Sequence, residues 1–281
     1  MACLNCGAPL QGPFCAQCGQ RAVPAYPTLR EYAGDAWEEM SGIDGRFVRT
    51  LRTLITRPGR VTVDTLEGKR AHYIKPLRLY LSASLLYFLV AAAAPNVATS
   101  TQATIPGRQD IKIDITDPRG ADALTPEQRA QALQNIEKAP RLIKPVMRAV
   151  ILEPAGFRNR MMTAFPKVIF GMVPVFAVIA GMFYRRRPFM QHLTFALHIH
   201  AVVFLALAST ELVQFTRHVR AVQIAGLVAM AFLAWYIVRA QRVTYGNRLA
   251  ATLAKSAGIG VAYLIVWVPV MVAVLAWAAY F

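Results

Sequence analysis

Acidic residues are scarce in this chain: 15 Asp and Glu stand against 31 Lys and Arg in 281 residues, a formal net charge of +16. Charge of both signs reaches only 16%, against 56% hydrophobic residues. Cysteine is almost missing, and the four present all lie in the first 18 residues, so thiol chemistry is confined to one end of the chain. No H-E-x-x-H, G-x-S-x-G or Gly-rich phosphate loop occurs, which removes the metalloprotease, serine-hydrolase and nucleotide-binding signatures. Few carboxylates lie in or beside the apolar blocks, chiefly Glu211, and the chain is read as a non-enzyme. No repeated halves of the kind many transporters carry are visible. Apolar sequence begins in earnest only near residue 77, too late for the apolar stretch of a cleaved secretory signal, so the first span is expected to act as an uncleaved anchor.

What the chain does have is apolar blocks long enough to cross a bilayer. A hydrocarbon core of about 30 Å needs roughly 17–25 mostly apolar residues in a helix. Five blocks qualify: Leu77–Ala94, Val168–Tyr184, Phe189–Val213, Ala221–Val238 and Ala257–Phe281. The first is the shortest and has Arg78 at its start, where an extended stem can hold the guanidinium among headgroups. Four spans is the alternative count. The expected fold is therefore an all-α integral membrane protein of about five transmembrane helices, carrying a small N-terminal four-cysteine zinc ribbon and a mostly helical outer segment.

The basic charge is distributed by side. Nine Lys and Arg lie between Arg46 and Arg78, with only Asp64 and Glu67 against them; Arg185, Arg186 and Arg187 fill one short turn, and Arg239, Arg242, Arg248 and Lys255 another. With five spans all three clusters fall on one side, the positive-inside pattern, which predicts a cytoplasmic N-terminus and an outer C-terminus. Arg217 and Arg220 on the outer side are too few to reverse it, and the long segment Pro95–Lys167 counts little. Anionic lipid headgroups are thus the expected partner of the basic clusters, and nucleic acid is not needed to explain them.

The cysteines form Cys3-x-x-Cys6-Gly7 and Cys15-x-x-Cys18-Gly19. Two such knuckles can set four thiolates tetrahedrally about a Zn²⁺ ion at about 2.3 Å. A glycine after each lets the backbone turn so that its amides face the sulfurs. Residues 1–22 are expected to fold as a ribbon around structural zinc, because so short a segment buries too little surface without metal. Iron in the same cage and a redox dithiol pair are the alternatives. A closed four-thiolate site has no free coordination position, so the head is either a folded knob or a docking module for a partner.

Residues 23–76 read as cytoplasmic or interfacial helices. Thr28 can cap a helix through Leu29, Tyr32, Ala33 and Trp37. From Arg46 to Ile55, Phe47, Val48, Leu51, Leu54 and Ile55 share one helical face while Arg46, Arg49 and Arg52 share the other. Such a helix ahead of a span is expected to lie in the membrane interface, with packing on the cytoplasmic ends of the spans as the alternative. The order C-x-x-C-G twice, Gly45-Arg46-Phe47, Thr56-Arg57-Pro58-Gly59, Glu67-Gly68-Lys69-Arg70 and Tyr73-Ile74-Lys75-Pro76 resembles a bacterial family of zinc-ribbon-headed inner-membrane proteins of unknown function. The resemblance covers roughly the first 90 residues. It implies a fold and an inner-membrane location, and no activity.

In the outer segment, residues 95–167, Thr125-Pro126-Glu127 predicts a helix running to about Lys138. Pro140, Pro145 and Pro154 break the rest of the segment into short amphipathic pieces, and Ile111, Ile113 and Ile115 suggest a strand over Ile105–Ile115. The third span is unusual in carrying His192, His198, His200 and Glu211. At 100° per residue His192, His200 and Glu211 fall within one arc of about 100°, and His198 lies outside it. A polar stripe along a span faces protein or water. Interhelical hydrogen bonds, a proton or ion path, and a membrane metal site are the three readings. Pro174 and Pro269 could kink their spans, and Gly171, Gly181, Gly226, Gly258 and Gly260 allow close helix approach. Two functions are compatible with these features: an adaptor or assembly factor whose ribbon docks a protein partner, or a transporter using the third span.

Overall fold

A computed structural model of the protein describes residues 2–22, 45–95, 102–105, 111–114, 125–137, 140–141 and 143–280. The helix expected from Thr28 to Trp37 lies outside them, as do Leu142, Ile115 and Phe281. The described chain is helical apart from one small hairpin and the head. Helix α1 spans Gly45–Thr56, α2 Arg60–Leu66, and a 3₁₀ turn covers Arg70–His72. Then come α3 (Pro76–Ala93), strands β1 (Gln102–Ile105) and β2 (Ile111–Asp114), α4 (Pro126–Ile136), α5 (Lys144–Leu152), α6 (Pro154–Phe183), α7 (Phe189–Gln214), α8 (Val219–Tyr245) and α9 (Leu249–Tyr280).

Among the described residues, five helices are long and apolar enough to cross a membrane: Arg70–Ala93, Asn159–Phe183, Phe189–Gln214, Val219–Tyr245 and Leu249–Tyr280. The chain is thus a multi-pass membrane protein by length and composition. The later helices outrun their apolar blocks. At 1.5 Å per residue, the 27 residues of α8 extend about 40 Å, more than the hydrocarbon core. One span corrects an expectation. Residues 154–167, read as broken amphipathic pieces, are the first half of α6. Pro154 sits where a helix begins, so its missing N–H is no loss, and Arg158, Arg160 and Lys167 conceal the apolar period. Helices α6 and α9 continue through Pro174 and Pro269.

The chain divides into two compact units. One comprises Met1–Ala94, Val173–Val213 and Ile224–Tyr263. Its centre is α7: 67% of the apolar 18-residue stretch of that helix is buried, against 6% of the corresponding stretch of α8. Phe204 of α7 meets Tyr80, Tyr87 and Phe88 of α3 at ring separations of 5.5–5.9 Å, each pair adding about 0.5–1.5 kcal/mol beyond burial. Gly258 of α9 receives the Phe183 ring of α6, which a Cβ would meet at 2.6 Å; Gly171, Gly226 and Gly260 have no such neighbour. Leu227, Val228 and Met230 of α8 are exposed apolar side chains, suited to lipid rather than water.

The other unit comprises Pro95–Met172, Gln214–Gln223 and Leu264–Phe281. The strand expected over Ile105–Ile115 is instead an antiparallel pair, with Ile105 opposite Ile111 and Ala103 opposite Ile113. Helix α4 ends at Ile136, two residues short of the expected Lys138. Ala132, Ile136 and Ile151 are fully buried together, with Leu133 and Met147 against them. A second cluster joins Ala149, Phe157 and Ala278, and Arg160 Nε donates to Ala278 O at 2.8 Å. This unit therefore has small cores of its own.

Candidate functional site

The two knuckles fold by the same local rule. Gly7 N–H donates to Cys3 O and Gly19 N–H to Cys15 O, both at 2.8 Å; Cys3 N–H donates to Ala8 O and Cys15 N–H to Gln20 O, also at 2.8 Å. Gly7 and Gly19 have φ of 78° and 69° with open space around them, so the left-handed backbone, not packing, calls for glycine. Antiparallel bridges Ala2–Pro9 and Phe14–Arg21 close the two turns.

The four sulfurs lie within 4.8 Å of one another. Cys3 Sγ and Cys18 Sγ are 3.6 Å apart, and Cys6 Sγ and Cys15 Sγ 3.5 Å. A tetrahedron of thiolates about 2.3 Å from a centre has edges of about 3.8 Å, so the set fits one metal ion. Backbone amides of Cys18 and Gln17 lower the Cys15 thiol, and the Gln20 amide with Asn5 lowers Cys18. At Cys6 the Ala8 amide favours the thiolate, but desolvation and the three neighbouring sulfurs push the thiol up to about 12. Four thiolates this close repel one another until a cation joins them. Among the described residues this is the one grouping of three or more His, Cys, Asp or Glu that could hold a metal.

The head is clamped to the chain just before the first span. Gln20 Nε2 donates to Gly68 O at 2.6 Å, and Gln20 Oε1 accepts from Arg70 N–H and Ala71 N–H, each at 3.1 Å. His72 Nδ1 hydrogen-bonds Asn5 Oδ1, and Leu4 covers Gly68 so closely that a Cβ there would lie 2.7 Å from Leu4 Cδ1. Sequence reasoning missed Asn5, Thr62 and Tyr236, and above all Gln20. Its only signal is a place two residues past the last cysteine.

Below the clamp, Asp64 is a buried hub. It takes Arg60 at 3.0 Å, Lys69 at 3.3 Å and the Tyr73 hydroxyl at 2.9 Å. Three donors satisfy a carboxylate that burial alone would penalise. Helices α1 and α2 then pack on the spans. Tyr236 Oη donates to Leu54 O at 2.7 Å, Ile74 N–H donates to Thr50 Oγ1 at 3.0 Å, and Thr62 Oγ1 bonds His198 Nδ1 at 2.8 Å. His198 lies nine residues into α7 and Tyr236 nine before the end of α8, so both anchors sit about 13.5 Å from the helix ends. Arg239, three residues past Tyr236, is already exposed. On α1, Leu54 and Thr50 face protein, Phe47, Leu51 and Arg46 are half-buried, and Arg49, Arg52, Val48 and Ile55 are exposed.

The α7 histidines take separate partners rather than one path. His192 and His198 are 1% and 2% exposed. His192 Nδ1 bonds Tyr245 Oη at 2.8 Å. His200 Nδ1 donates to Ala196 O at 2.8 Å, and its Nε2 faces Tyr263 Oη at 3.4 Å, against the edge of Phe176. Glu211 is half-buried near the other end of α7. His198 points away from the polar arc, yet α7 is enclosed on most sides, so α2 supplies Thr62 there.

A family model described as "Protein of unknown function (DUF3667)" matches residues 44–88, which hold α1, α2, the Asp64 hub and most of α3. No curated protein and no solved structure matches the chain.

Proposed function

We propose that this chain is a non-enzymatic adaptor of the bacterial inner membrane whose cytoplasmic zinc ribbon docks a protein partner. The observation that carries the reading is the clamp. Gln20 and Asn5 fix the head to residues 68–72, while Phe14 stays 59% exposed on it. An aromatic side chain held outward by a rigid, metal-closed fold suits recognition, because little ordering is left to oppose binding. Zinc is favoured by the paired knuckles of a closed four-cysteine set, and a reducing compartment keeps the four thiols from pairing as disulfides. The cytoplasmic assignment draws on charge: the Arg185–Arg187 turn abuts the turn after Tyr245 through stacked Tyr184 and Tyr245 rings 3.9 Å apart, so two basic clusters share one end of the bundle. The bacterial inner membrane rests on the resemblance alone.

Transport along α7 has less support, since His192, His198 and His200 bond three different helices or turns. The adaptor reading is tested by a photo-crosslinking amino acid at position 14 in living cells. A single discrete adduct with another protein, lost in the Cys15→Ser, Cys18→Ser variant, is expected. No adduct from a metal-loaded head would overturn the reading.

A further inference from the structure

The turn from α6 into α7 and the turn from α8 into α9 lie side by side. Between them is a cavity of about 480 Å³ lined by Arg185, Arg186, Arg187, Lys255, Tyr184 and Asn247 among others. We propose that this cavity binds the phosphate of an anionic phospholipid headgroup.

Charge is the first argument. Four cations line the cavity and no carboxylate does. None of the four forms an ion pair among the described residues. Lys255 Nζ instead sits 4.2 Å over the Tyr184 ring, and Arg185 Nε donates to Met182 O at 3.3 Å, one of its five donors. Like charges gathered this way repel unless an anion joins them, and guanidinium forks match phosphate oxygens in pairs.

Unsatisfied donors are the second. Tyr184 is only 7% exposed, and its hydroxyl has the Asn247 and Gln241 side chains beside it, yet neither that hydroxyl nor Asn247 Nδ2 makes a well-formed hydrogen bond among the described residues. A buried donor held in poor geometry is costly. A phosphate oxygen in the cavity would accept from both, which a purely electrostatic surface does not require.

Position is the third, and it favours lipid over soluble phosphate. Val178 and Met182 lie one turn apart on α6, both exposed, and run from the apolar span to the cavity wall, where Met182 takes part in the lining. An acyl chain can follow that strip while the headgroup stays among the arginines. The site does not depend on the adaptor reading.

The test uses purified full-length protein in detergent micelles, titrated with dioleoyl phosphatidylglycerol or dioleoyl phosphatidylcholine, with bound lipid counted by native mass spectrometry. One phosphatidylglycerol should be held in preference to phosphatidylcholine. Arg186→Gln, Arg187→Gln and Lys255→Gln together should weaken it about 100-fold, from about fivefold per cation. Arg57→Gln, Arg239→Gln and Arg242→Gln remove three charges outside the cavity and should leave binding unchanged. Equal binding of the two lipids, or equal loss in both triple variants, overturns the site. Displacement of the lipid by equimolar glycerol phosphate overturns the lipid assignment. If the first triple variant does not fold, Asn247→Ala replaces it; that change removes a cavity donor without charge, and unaltered binding there also overturns the site.

Discussion

Replacing Gly59 with alanine isolates the contact that seats the pre-span segment on α8. Gly59 has φ of 82° and precedes α2. A left-handed backbone costs a non-glycine residue about 1–2 kcal/mol. The added Cβ would also lie 2.7 Å from Ala240 O, 3.0 Å from Val243 Cβ and 3.1 Å from Ala240 Cα. Two of these neighbours are backbone in the middle of a helical turn and cannot swing away, so overpacking adds about 1–3 kcal/mol. The total for Gly59→Ala is about 2–5 kcal/mol. Gly246 supplies the control, with φ of 72° and nothing within 4 Å, so Gly246→Ala should cost only the backbone share, about 1–2 kcal/mol. Both variants of the full chain would be unfolded in mixed micelles by rising SDS mole fraction, followed by circular dichroism. Equal losses from the two substitutions would refute the close approach of residues 58–60 to α8.

Gln20→Ala removes three hydrogen bonds to residues 68–71 and should speed amide exchange at Arg70 and Ala71 by about tenfold or more, at roughly 1 kcal/mol per bond, while metal content stays unchanged by elemental analysis. Stripping the metal with a strong chelator should do the same at Arg70 and Ala71 and also release the Gly7 and Gly19 amides, because the head has no other core; hydrogen exchange by mass spectrometry reads both, and protection retained without metal would show that the head folds unaided. Thr62→Val and His198→Ala each break a bond buried on both sides and should cost about 1–3 kcal/mol singly, with a double-mutant cycle in the same micelle assay returning a coupling of about 0.5–3 kcal/mol. A coupling of zero would refute that contact.

Local and periodic features were legible in the chain before any folding was considered. Five apolar blocks mark five spanning helices, because a helix in lipid must satisfy its own backbone and declares itself in length and composition. The paired C-x-x-C-G motifs mark a four-sulfur cluster, since each knuckle is set by five consecutive residues. Where charge interrupts the apolar period, as in residues 154–167, the same reading loses half of α6, and an alternation of isoleucines cannot show where a strand turns back.

Which polar residues meet was settled by packing. Thr62 and His198 are 136 residues apart, Gln20 and Gly68 are 48 apart, and Leu54 and Tyr236 are 182 apart. Nothing in the local pattern of Thr62 or Gln20 separates them from ordinary surface residues; their roles come from the groups brought opposite them. The histidines of α7 show the same limit from the other side. Helical angle sets His198 apart from its neighbours, but only the packing of α1 and α2 against the spans supplies it with a partner, because a helix enclosed on most sides has no single polar face for a sequence to display.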